Sequence, residues 1–147
     1  MTVHSVRGRT LGVIPIRLGL GLVLLGGARL AGAANGPALL AFVIGALGIT
    51  FVIFNDPRAR FVRREVEPLE LPAGAEVAPL WRQAASAALP STVAVAVLAC
   101  IALIPQPTLA ALLAGVEAGL GVAAVLSLGG ADPRLYVDPR SSIYYRR

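Results

Sequence analysis

The chain has 147 residues, of which 56% are hydrophobic and only 14% charged, and its formal net charge is +5. Soluble domains carry about 25% charged residues, so this composition excludes a soluble globule, a disordered tail and a disulfide scaffold. All 13 basic residues are Arg, and the mean hydropathy is +0.76. A basic chain can serve nucleic acid. In so apolar a chain the excess reads instead as cations kept on one side of a membrane, and no nucleic-acid partner is expected.

In chain order, the first apolar stretch runs from Leu11 to about Ala34, interrupted by Pro15, Arg17 and Arg29. Arg7 and Arg9 before it and Ala31-Gly32-Ala33 after it have the outline of a cleaved signal peptide. Pro15 and Arg17 break the apolar region, so an uncleaved first span is expected. The second stretch, Ala38 to Phe54, contains no charge. A polar segment from Asn55 to about Ala78 follows.

The third stretch, about Leu89 to Ile104, is short for a span of about 20 residues. It lengthens backwards through Pro79 to Ala84, which reads as a helix start, and Pro90 then lies inside and kinks it. Cys100 falls in this run and reads as a packing residue, leaving no disulfide or cysteine cluster. The fourth stretch, Leu109 to Leu128, carries one charge, Glu117.

Two tight turns, Asn35-Gly36-Pro37 and Pro105-Gln106-Pro107, join these stretches in pairs. The expected fold is all-α: a polytopic membrane protein of four transmembrane helices arranged as two helical hairpins. The expected organisation is a tail and first hairpin over 1–54, a loop over 55–78, a second hairpin over 79–130 and a tail over 131–147.

The Arg residues set the orientation. Eleven of the 13 lie in the N-tail, the central loop side or the C-tail, Arg17 lies close to that side, and the two turns hold none. Cations stay in the cytoplasm. A multi-pass protein of the cell (inner) membrane with both termini cytoplasmic is therefore expected.

Each half of the chain ends alike. Asn55-Asp56-Pro57-Arg58 precedes Phe61-Val62, Ala131-Asp132-Pro133-Arg134 precedes Tyr136-Val137, and Asp138-Pro139-Arg140 follows at once. This suggests a parallel repeat of one two-helix unit. Pro stops a helix and Arg meets anionic headgroups, so Arg58, Arg60, Arg63, Arg64, Arg134 and Arg140 are candidates for lipid-headgroup contact or cytoplasmic docking. The loop then turns acidic, with Glu65, Glu67, Glu70 and Glu76, and Pro68, Pro72 and Pro79 keep it extended. Trp81, Tyr136, Tyr144 and Tyr145 fit an interfacial aromatic belt.

Glu117 is the residue a membrane should resist, since an ionisable group at the centre of a span costs at least about 2.5 kcal/mol. Such groups face the bundle interior and take a partner. Arg29, six residues before Asn35, is the candidate, because side chains lean toward a helix N-terminus and the two would lean to one level. An intramembrane ion pair Arg29–Glu117 joining the hairpins is expected. Gly115 and Gly119 form a small-residue pair for close helix packing.

Catalytic signatures are missing. There is no phosphate-cradling loop, and the one His, His4, sits in a tail, leaving no metal cluster or nucleophile–base set in the apolar spans. No enzyme activity, cofactor or metal is expected. The expectation is a small structural, accessory or assembly subunit of a larger membrane complex, its partners anionic lipid and another membrane protein or its own copies. The alternative is a small oligomeric transporter or channel using Glu117.

Overall fold

The computed structural model of the chain describes residues 2–56, 68–130 and 132–146. Four helices dominate: α1 (Val6–Leu30), α2 (Asn35–Asn55), α3 (Leu80–Ala102) and α4 (Pro107–Leu128). All four are long and apolar enough to span a membrane. The chain is a multi-pass helical membrane protein, as its composition requires.

The burial pattern is that of a protein whose outside is lipid. The buried hydrophobic set is mostly alanine, and Glu117 and Val3 are the largest fully buried side chains. Leu22, Val23, Leu47 and Phe51 point outward. Cys100 also faces out, not into the core. With no hydrophobic drive between helices in lipid, small residues that let backbones approach hold the bundle together.

α4 is the hub. Half of its most apolar window is buried, 50%, against 22%, 17% and 22% in α1, α2 and α3. It packs extensively along both α1 and α2, and less along α3, whereas α1 and α2 scarcely touch. The first hairpin is therefore a hairpin in connectivity only, its two helices straddling α4. A Cβ at Gly115 would meet the Phe42 backbone, and one at Gly119 the Ala46 backbone and the Ile49 side chain. Gly45 meets α4 at Leu112 and Val116 in the same way, and the Thr50 hydroxyl donates to the Gly119 carbonyl at 3.1 Å. Gly115 and Gly119 thus lie in close contact with α2.

The helix ends differ from the sequence reading by a turn. α1 starts at Val6, not Leu11, because Ser5 caps it by accepting from the Gly8 N–H at 3.2 Å. It ends in a Schellman arrangement: Gly32 has φ +103°, Ala33 N–H donates to the Ala28 carbonyl and Gly32 N–H to that of Arg29. The first turn is therefore Ala31 to Ala34, and Asn35 already belongs to α2. Pro107 occupies the first position of α4, where its missing N–H costs nothing.

Five short strands that read as tails and loop join at the opposite end of the bundle: β1 (Thr2–Ser5), β2 (Leu69–Glu70), β3 (Glu76–Val77), β4 (Leu135–Val137) and β5 (Tyr144–Arg146). Their order is β2-β5-β4-β1-β3. β1 and β5 each pair antiparallel to β4, with His4 opposite Val137 and Tyr136 opposite Tyr145. β3 pairs parallel to β1, and β2 parallel to β5. This cap ties the N-tail, the loop and the C-tail to one end of the bundle. The bundle therefore has a cap end and a turn end.

The repeated Asp-Pro-Arg motif acts in the cap as a turn former. Asp132 accepts from the Arg134 N–H at 2.9 Å and Asp138 from the Arg140 N–H at 3.0 Å, the side-chain turn that Asp favours. Tyr145 is buried in the cap, so it belongs to the sheet and not to an aromatic belt. Trp81 is exposed, with the Arg82 guanidinium stacked 5.1 Å from its ring centre.

Candidate functional site

Glu117 sits ten residues into α4, about 15 Å from its start at 1.5 Å per residue. Arg17 sits eleven residues into α1, about 16 Å from the other end. Because the two helices run antiparallel, both residues fall near mid-depth. α3 supplies their polar partners in consecutive positions just after Pro90: the Thr92 hydroxyl donates to Glu117 Oε1 at 2.7 Å, and Arg17 Nη2 donates to the Ser91 hydroxyl at 2.8 Å. Glu117 is fully buried, and its Oε2 and the Arg17 Nε are buried without a hydrogen-bond partner. Arg17 and Glu117 make no contact within salt-bridge distance of each other.

The expected pair Arg29–Glu117 does not form. Arg29 lies in the last turn of α1 and donates through Nε and Nη2 to Asn35 Oδ1, at 3.0 and 2.6 Å. The backbone leans inward there, but a long Arg side chain snorkels outward, and the carbonyl end of a helix favours a cation. Arg29 therefore ties the α1–α2 turn, and Glu117 faces Arg17 and α3 instead. A helix start five residues earlier than expected is what carries Arg17 to that depth.

Between the polar centre and the cap lies a vestibule of about 690 Å³. Its walls are one face of α1 (Val6 to Arg17), the cap-proximal half of α4 (Leu120 to Ser127), the last turn of α2 and Ala87 of α3, and the cap residues Asp132, Tyr144 and Arg146 reach it. Arg17 marks its inner limit. On the other side of Glu117 the bundle is apolar: Ala28, Ala33, Ala38, Ala102, Ala110 and Ala111 pack with Leu25, Leu103 and Leu113.

His4 is the functional-looking residue that the sequence reading left in a solvated tail. It is buried, and its Nδ1 lies 3.1 Å from the Ser86 hydroxyl. That hydroxyl also donates to the Gln83 carbonyl at 3.0 Å. The contact fastens the cap to α3. Burial, and then Arg9, push the His4 pKa below its ordinary value, with Asp138 opposing.

Of the basic candidates, Arg134 and Arg140 are exposed in the cap turns. Arg58, Arg60, Arg63 and Arg64 lie outside the described residues. No protein family, characterised protein or solved structure matches the chain.

Proposed function

We propose that the chain is a structural or accessory subunit that assembles with another membrane protein or with its own copies, in the cell (inner) membrane with the cap in the cytoplasm. The observation that carries this reading is the pair of outward glycines on α1. Gly19 and Gly26 have nothing within 4 Å of a built Cβ, and seven residues apart they lie on one face, with exposed Leu22 and Val23 between them. Glycine gains nothing against lipid tails, but it lets a second helix approach closely. The alanine packing of the turn half supports a structural role, since it offers no polar route through a single chain.

The test is purification of the full chain in mild detergent, with mass and composition measured by light scattering and mass spectrometry. A stoichiometric partner or a homo-oligomer is expected, lost on Gly19→Leu/Gly26→Leu while the chain keeps its helicity. A monomer travelling alone overturns the reading. Orientation is tested with reporter fusions at the C-terminus, which are expected to be active only in the cytoplasm.

The vestibule favours a second reading, an oligomeric transporter in which Glu117 binds the coupled cation or proton. Its support is a cavity that reaches Arg17 from the cap side. Flux in proteoliposomes that Glu117→Gln abolishes would favour it over the first.

A further inference from the structure

We infer that the vestibule beneath the cap is a binding site for a phosphate ester. Among the described residues, its lining carries three guanidinium groups, Arg9, Arg17 and Arg146, and two carboxylates, Asp56 and Asp132. Asp132 is already engaged, by the Arg134 N–H and by Arg146 at 3.4 Å. No carboxylate among the described residues lies within salt-bridge distance of Arg9 or Arg17. Among the described lining residues, Arg9 and Arg17 thus offer cationic donors that no carboxylate meets within salt-bridge distance.

Arg17 sharpens the case. One of its N–H groups serves Ser91, and its side chain lines the cavity. A guanidinium presents a planar fork of donors that matches phosphate oxygens. Arg9 and Arg17 are eight residues apart, about 12 Å along the helix, so the ligand carries acceptors at two levels. Its phosphate lies toward Arg9, Arg146 and the Tyr144 hydroxyl at the cap. Further oxygens, such as those of an ester or glycerol, lie toward Arg17.

A volume of about 690 Å³ suits one small organic ligand, within the range of about 300–1,000 Å³ that such sites occupy. Apolar Val13, Leu120 and Val137 also line the walls, so the ligand has an apolar part as well as an anionic one. Two sources offer this chemistry: the headgroup region of an anionic membrane lipid, and a soluble phosphate ester.

The test uses the purified full chain in a neutral detergent. The probes are dihexanoyl-phosphatidic acid, glycerol 3-phosphate, inorganic phosphate and, as the zwitterionic control, dihexanoyl-phosphatidylcholine, with binding read by native mass spectrometry and thermal shift. At least one phosphate monoester is expected to bind at least tenfold more tightly than the control, and Arg9→Gln and Arg17→Gln are each expected to weaken it at least tenfold. Binding of phosphatidic acid alone assigns the lipid source. Equal binding of glycerol 3-phosphate assigns the soluble one.

Should Arg17→Gln fail to fold, Ala124→Leu narrows the vestibule without touching a charge and is expected to weaken binding equally. No monoester binding, binding no tighter than the control, inorganic phosphate binding as well as the esters, or binding untouched by Arg9→Gln and Ala124→Leu overturns the inference.

Discussion

The turn half and the cap half of the bundle are built from the same helices but cohere in different ways. Toward the turns, alanine and glycine faces bring the helices into backbone contact and leave no room for a polar group. Toward the cap, Arg17 and Glu117 hold mid-depth positions and a cavity opens beside close contacts such as Gly12 on Ala84. A bundle whose largest fully buried side chains are Glu117 and Val3 takes its cohesion from close approach along its length and, in the cap half, also from polar partners and a sheet.

The largest expected effect strikes the close-packed side. Gly115→Leu drives a side chain into the Phe42 backbone, which cannot swing aside as a side chain can. Overpacking costs about 1–3 kcal/mol, and more when backbone must shift, so no monodisperse folded species is expected on gel filtration. Gly48→Leu, where a Cβ meets nothing within 4 Å, is expected to change stability by less than about 0.5 kcal/mol. Equal effects at the two positions would break the contrast between the hub contact and the lipid face.

The polar centre comes next. Glu117→Leu leaves Arg17 at mid-depth without its countercharge, in a setting where a charged side chain costs about 2.5–3.5 kcal/mol, and a clear fall in thermal midpoint is expected. Thr92→Val removes only the hydrogen bond to Glu117, and intramembrane hydrogen bonds average about 0.6 kcal/mol. A double-mutant cycle separates the two Arg residues. Arg29→Gln with Glu117→Gln should be additive within about 0.5 kcal/mol, whereas Arg17→Gln with Glu117→Gln should not. Coupling of Glu117 to Arg29 would restore the pairing that the structure replaces.

The unequal halves also explain what the sequence could tell. The spans were legible because lipid imposes length and hydropathy on contiguous residues, and the partners of Gly115 and Gly119 lie where small residues on a helix face point. Arg29 was misjudged because the lean of a Cβ fixes only the first bond of a side chain, and the remaining carbons carried the charge to Asn35. Arg17 was misjudged because Ser5, a capping residue in a polar tail, extends α1 below its apolar run. The cap was illegible for a different reason. Strands of two to four residues show no alternation, and apart from β4 with β5 their partners lie far apart in sequence. His4 acquires its burial from this assembly, so nothing in its neighbours announced it.

The smallest expected effect is a pH dependence confined to the cap half. The buried His4 has its pKa lowered from 6.5 by burial and then by Arg9. On acidification the unfolded cap therefore takes up this proton first, and the stability that neutral His4 contributes above about pH 6.5 is lost as pH falls below it. Asp138 is lowered from 3.8, first by the Arg140 N–H and then by the Ser141 hydroxyl. Its contribution holds above that value and is lost as pH falls through the lower one. Amide hydrogen exchange should show β1 and β4 loosening in two stages, one between pH 7 and 5 and one below pH 4, while α2 and the turn end of α4 stay protected throughout the first. His4→Gln should remove the first stage and leave the second. Asp138→Asn should remove the second and deepen the first, extending it to lower pH from the same onset, because the carboxylate that favours His4 protonation in the folded cap is gone. Loosening of the turn half together with the cap between pH 7 and 5 would show that the two halves open as one unit.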